Sequence, residues 1–99
     1  MANIELIRKV RELLVKELKS GKEGWLIESN LLADVYDEYE DVIRSSVFGQ
    51  NLEERMGSKL SPSDKTFAVI GYCIQEVIFI GDKETLDILL SSNVGNELN

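Results

Sequence analysis

The chain of 99 residues contains no histidine and only one cysteine. Without histidine it lacks the usual general base of serine and cysteine nucleophile sites, and it lacks the commonest metal ligand. One cysteine cannot form an internal disulfide and cannot build the usual zinc motifs. No glycine-rich stretch ends in the Lys-Ser/Thr pair of a phosphate-binding loop. These absences predict a protein that is not an enzyme and that binds no cofactor and no metal.

Long apolar runs are also missing. No run approaches the roughly 18–20 apolar residues that a membrane span needs, and the start lacks the apolar core of a secretory signal. The lone thiol, Cys73, lies among apolar residues without a neighbouring base, so we expect a small buried side chain rather than a reactive one. Together these features predict a cytoplasmic protein.

Basic residues are outnumbered, since 11 Lys and Arg stand against 18 Asp and Glu, for a net charge of −7. The charge is unevenly spread, with +3 in residues 1–22, −7 in residues 23–57 and −3 in residues 58–99. Nucleic acids and anionic membranes are bound through Lys and Arg, so this balance argues against both as partners. It favours a basic protein partner.

The clearest helix signal is a cap in the second half of the chain. Ser61 suits an N-cap, Pro62 suits the first helical position, and Asp64 places a carboxylate at the positive end of the helix dipole. The following residues are apolar around most of the circumference, which indicates a central helix over about 62–80. A strand over 76–80 is the competing interpretation, although length and the cap favour a helix. The expected core residues of this helix are Ile70, Cys73, Ile74, Val77 and Ile78.

The remaining helices are less sharply marked. Apolar periodicity predicts them at about 3–19, 29–47 and 82–91, with residues 92–99 frayed. Gly49 lies just beyond the second helix, where a left-handed residue is wanted, and residues 49–61 are expected to form a loop with at most one helical turn. The chain is therefore predicted to be one compact all-α domain, residues 1–99, of four to five helices around the helix at 62–80.

The most unusual segment is an acidic run without a base. Seven carboxylates and no Lys or Arg lie between Glu23 and Asp41. Four of the seven follow the i, i+3, i+4, i+7 spacing of one helix face, although like charges one turn apart cost a few tenths of a kcal/mol per pair. Either this is a solvated face that aids solubility, or its field acts on a basic partner. The candidate binding residues are Glu28, Asp34, Tyr36, Asp37, Glu38 and Asp41, with rival acidic surfaces at Glu53, Glu54 and 82–87.

The segment 67–90 carries a family resemblance. Its sequence, FAVIGYCIQEVIFIGDKETLDILL, places a long apolar helix before Gly-Asp and a second helix directly after it. This pattern is similar to the C-terminal half of some small acidic all-helical immunity proteins of bacterial toxin–immunity systems, including contact-dependent growth inhibition. The resemblance covers about a quarter of the chain and assigns no individual residue a role.

The resemblance implies a cytoplasmic protein that binds one cognate toxin and neutralises it. Many such toxins are nucleases with a basic cleft, a ribonuclease being favoured here over a deoxyribonuclease, and an acidic helix would then occupy the place of phosphates. The alternative is an acidic adaptor or regulatory subunit that binds a host protein partner. A homo-oligomer also stays open.

Overall fold

The computed structural model describes residues 3–19, 32–57 and 59–91. These residues form six helices and no strand, and 85% of them are helical. The helices are α1 (Ile4–Lys19), α2 (Ala33–Glu38), α3 (Glu40–Ser45), α4 (Val47–Met56), α5 (Pro62–Ile80) and α6 (Lys83–Leu90). The predicted all-α class is confirmed, and so is the helical interpretation of residues 76–80.

Helix α5 is the centre of the fold, as the cap and the apolar pattern predict. Ser61 and Asp64 form a reciprocal capping box, with Pro62 at the first helical position. The helix ends at Gly81, whose φ of 85° is accessible to glycine at little cost. All five other helices contact α5.

The hydrophobic core lies between α5 and the helices around it. Asn3 caps α1 by accepting a hydrogen bond from the Leu6 backbone N–H, and α1 then turns its apolar stripe towards α5. Arg11 of α1 donates to Thr85 and Glu84 of α6, which ties the two helices together. The buried apolar residues are Leu6, Ile7, Val10, Leu14, Leu32, Val35, Tyr36, Ile43, Leu52, Ala68, Val69, Ile70, Tyr72, Cys73, Val77 and Leu89.

The prediction of one continuous helix over 29–47 is wrong within the described residues. The chain leaves helical geometry at Tyr39, between α2 and α3, and again at Ser46, where ψ is 159°. The Ser46 hydroxyl accepts a hydrogen bond from the Gly49 backbone N–H at 2.9 Å and so caps α4. A serine hydroxyl competes with the helical ladder in this way and favours a new start. Much of the segment predicted as loop is therefore helix α4.

Gly49 is helical and does not have the left-handed conformation expected from its position. A Cβ placed on Gly49 would overlap the carbonyl oxygen of Ile43 and would lie 2.8 Å from the Cα of Arg44. The α3–α4 corner thus requires a residue without a side chain at this point. The glycine that follows α4 with a positive φ is Gly57, whose φ is 80°.

Candidate functional site

The acidic segment predicted from the sequence lies on α2 and α3. Asp34, Asp37, Glu38 and Asp41 are all exposed. Because the helix is interrupted at Tyr39, these carboxylates do not share one continuous helix face. Glu28, the sixth candidate, and Trp25 lie outside the described residues.

Two of these carboxylates are already paired with bases from other helices. Lys65 of α5 lies 2.7 Å from Asp37, and Lys9 of α1 lies 2.5 Å from Glu38. Donating a hydrogen bond to its carboxylate raises the pKa of each lysine. Exposed pairs of this kind contribute little to folding, because water screens them. Part of the predicted binding charge therefore serves contacts between helices.

Asp34 and Asp41 form no ion pair with any described residue. Both side chains are exposed, so their charge is directed at solvent. A third acidic residue of the segment, Glu40, shares Arg44 with Glu53 of α4, at 3.1 and 2.8 Å respectively. After this pairing the segment still carries an excess of negative charge, concentrated at Asp34 and Asp41.

Tyr36, one of the candidate binding residues, lies in the core and offers a partner little contact area. Tyr36 is only 6% exposed and belongs to the core. The ammonium of Lys65 lies 5.8 Å from the centroid of its ring, a cation–π distance. Burial raises the pKa of the Tyr36 phenol, and the nearby Glu40 adds to the effect. Tyr36 therefore belongs to the core on which the acidic segment packs.

Among the described residues, large apolar side chains are exposed at the end of α5, where the sequence predicts core. Ile78 is 60% exposed, so its predicted burial is wrong, and the neighbouring Phe79 is 90% exposed. On α4, Val47 is 67% exposed. The core contacts of α5 reach Val77, and the three residues that follow it are exposed. An apolar circumference alone does not show where the neighbouring helices end. The sequence carried one sign of this exposure, namely that α5 has more apolar residues than the other helices can cover.

Val47 and Phe79 line a surface groove of about 590 Å³ between α3, α4 and α5. Among the described residues it is lined by Val42, Ser45, Ser46, Val47, Tyr72, Gln75, Glu76 and Phe79. Glu76 is the one charged residue of this lining, and it forms no ion pair within the described ranges. Val42 directly follows Asp41, so the groove begins where the acidic segment ends.

The described residues hold no cluster of potential metal ligands, and their lone thiol is buried. No three His, Cys, Asp or Glu side chains among them are arranged to hold a metal ion. Cys73 is buried, and burial raises the pKa of its thiol to about 12, with a smaller effect from Glu76. A thiol of that pKa is almost wholly protonated at neutral pH and is a poor nucleophile.

No helix in the described ranges has both the length and the hydropathy needed to cross a membrane. Comparison with protein-family models, with curated proteins and with solved structures finds no match. The function is therefore inferred from charge, burial and surface shape.

Proposed function

We propose that this chain is an immunity protein of a bacterial toxin–immunity system, acting in the cytoplasm by stoichiometric binding to one cognate toxin. The observation that carries the proposal is the exposed acidic segment of α2 and α3, which is supported by a net charge of −7. The partner it fits is a nuclease with a basic active-site cleft, a ribonuclease before a deoxyribonuclease. Carboxylates on a rigid helical surface would take the place of the substrate phosphates, and the role requires no turnover.

The electrostatics favour rapid capture. Opposite net charges raise association rates by steering the encounter, and the effect is greatest at low salt. Asp34 and Asp41 can form new ion pairs without breaking a pair with any described residue. Asp37 and Glu38 would first have to release Lys65 and Lys9, so they contribute less to the affinity for the partner. The largest share of the proposed contact therefore falls to Asp34 and Asp41.

The test is co-expression with the product of the reading frame adjacent to this gene. Cell survival and co-purification are scored for wild type and for the double reversal Asp34→Lys, Asp41→Lys. The matched control is the double reversal Glu54→Lys, Asp87→Lys on α4 and α6. Both control positions are exposed and form no ion pair with a described residue, and both double variants change the net charge by the same amount.

We expect wild type and the control to rescue growth and to co-purify with the toxin, whereas the double reversal at Asp34 and Asp41 loses both. An adjacent product that is not toxic but still co-purifies would support the adaptor function instead. Equal protection by both double variants would contradict the assignment of this segment. Loss of protection in the control alone would move the contact to the rival acidic surfaces on α4 and α6.

A further inference from the structure

We infer that the groove between α3, α4 and α5 is a docking site for a partner segment that brings an apolar side chain next to a Lys or Arg. The apolar side chain lies between Val47 and Phe79, and the adjacent base pairs with Glu76. This inference rests on the proposed function for the identity of its natural partner, which is a basic protein, and it adds the anchor that the acidic segment lacks.

The exposure of Phe79 is the first step. A phenylalanine that is 90% exposed leaves most of its apolar surface in water, and an exposed Val47 lines the same groove. Adjacent apolar side chains that remain uncovered are typical of binding surfaces, whereas single exposed ones are ordinary. Aromatic residues are also prominent among the anchors of protein interfaces. Covering this surface would release its hydration water and stabilise a complex.

Glu76 determines the charge of the occupant. It is half-buried in the lining and has no cation from the described residues within ion-pair distance. Any segment that covers the groove removes Glu76 further from water, and a buried carboxylate without a partner is costly. The occupant must therefore supply a base. Asp41, which precedes Val42 at the edge of the groove, strengthens the same preference.

A second copy of this chain does not meet that requirement. In a two-fold dimer the same surface meets itself, so each groove would bring Glu76 and the acidic segment towards the other. Each copy carries a net charge of −7, which opposes the approach. The charge of the groove and the charge of the whole chain both select a basic partner.

The experiment uses a synthetic amphipathic peptide of Leu and Lys, with a Leu–Glu peptide of the same pattern as its counterpart. Binding is followed by ¹⁵N–¹H spectra of the full chain, and the dissociation constants come from the titrations. The groove variants are Phe79→Ser and Glu76→Gln. Their controls are Ile4→Ser, which changes another exposed apolar residue, and Asp87→Asn, which removes an exposed carboxylate from α6.

We expect the Leu–Lys peptide to shift the resonances of Val47, Glu76 and Phe79, and the Leu–Glu peptide to leave them unchanged. Phe79→Ser should weaken binding by about tenfold or more, as expected for an aromatic anchor. Glu76→Gln should weaken binding less and should reduce its dependence on salt. Ile4→Ser and Asp87→Asn should bind as wild type does.

Three results obtained without the toxin would overturn the inference. The first is equal peptide binding by Phe79→Ser and Ile4→Ser, and the second is equal binding of the acidic and basic peptides. The third is a concentration-dependent dimer in sedimentation experiments that Phe79→Ser dissolves, which would identify a second copy as the occupant. A toxin held equally tightly by Phe79→Ser would reject the groove but leave the immunity function standing. Groove-specific peptide binding without any protection of cells would support the groove and reject the immunity function.

Discussion

Replacing Gly49 by alanine tests the corner that places α4 against α5 and forms one wall of the groove. Alanine is favoured over glycine inside a helix by about 1 kcal/mol, so propensity alone predicts a more stable protein. The structure predicts the opposite, because the new Cβ would overlap the Ile43 carbonyl oxygen. The obstruction is backbone, which cannot rotate away as a side-chain end can.

The expected loss follows from these two opposing effects. Overpacking in a well-packed site costs roughly 1–3 kcal/mol, and a backbone obstruction lies at the upper end of that range. After the gain in propensity, Gly49→Ala should lower the free energy of unfolding by about 1–2 kcal/mol. For a domain of this size that corresponds to a Tm lowered by roughly 4–15 °C.

Urea and thermal unfolding followed by circular dichroism measure the change, with Asn51→Ala as the control. Asn51 is exposed on the same helix, so its replacement should stabilise slightly, by up to about 0.7 kcal/mol. Gly49→Asn supplies a second comparison. Asparagine is tolerated at left-handed helix ends, so a left-handed Gly49 would accept Asn better than Ala. That order, or a stabilising Gly49→Ala, would refute the helical corner.

Three further predictions concern the core, the cap and the thiol. Ile70→Ala should destabilise the protein by about 2–5 kcal/mol, because Ile70 is fully buried, whereas Ile78→Ala should change stability by less than about 0.5 kcal/mol; similar losses in urea unfolding would show that the end of α5 is covered. Ser61→Ala removes one half of the capping box and should cost about 0.5–2 kcal/mol, against little change for Ser63→Ala; equal effects would reject the cap. Cys73, with a pKa of about 12, should react with a disulfide reagent at pH 8 only after unfolding, and rapid reaction of the native protein would contradict its burial.

The helix ends that the sequence predicts correctly are those marked by local chemistry. Ser61, Pro62 and Asp64 satisfy the first backbone N–H groups of α5 by contacts within a few residues, so their pattern is visible without tertiary structure. Gly81 and Asp82 likewise end one helix and cap the next, since Asp82 accepts from the Thr85 backbone N–H at 3.1 Å. Such signals depend on no distant residue.

The features that the sequence does not predict depend on tertiary packing as well as on local preference. Ser46 is by residue type a good N-cap, but the apolar periodicity across it favours an unbroken helix. Ile78 and Phe79 continue an apolar pattern whose covering helices are set by the tertiary arrangement of the chain. The pairing of Asp37 with Lys65 joins residues far apart in sequence and was equally hidden. The acidic composition of the candidate site was predictable, whereas the adjoining groove was not.

The association rate between this protein and the purified toxin, measured by stopped-flow fluorescence over a range of salt concentrations, tests the proposed function most directly. If the acidic segment steers and holds a basic partner, the rate should fall by about tenfold or more between roughly 0.02 and 0.5 M salt. The Asp34→Lys, Asp41→Lys variant should associate slowly at low salt and depend less on it. A rate that is independent of salt, and the same for this variant as for wild type, would contradict the proposal.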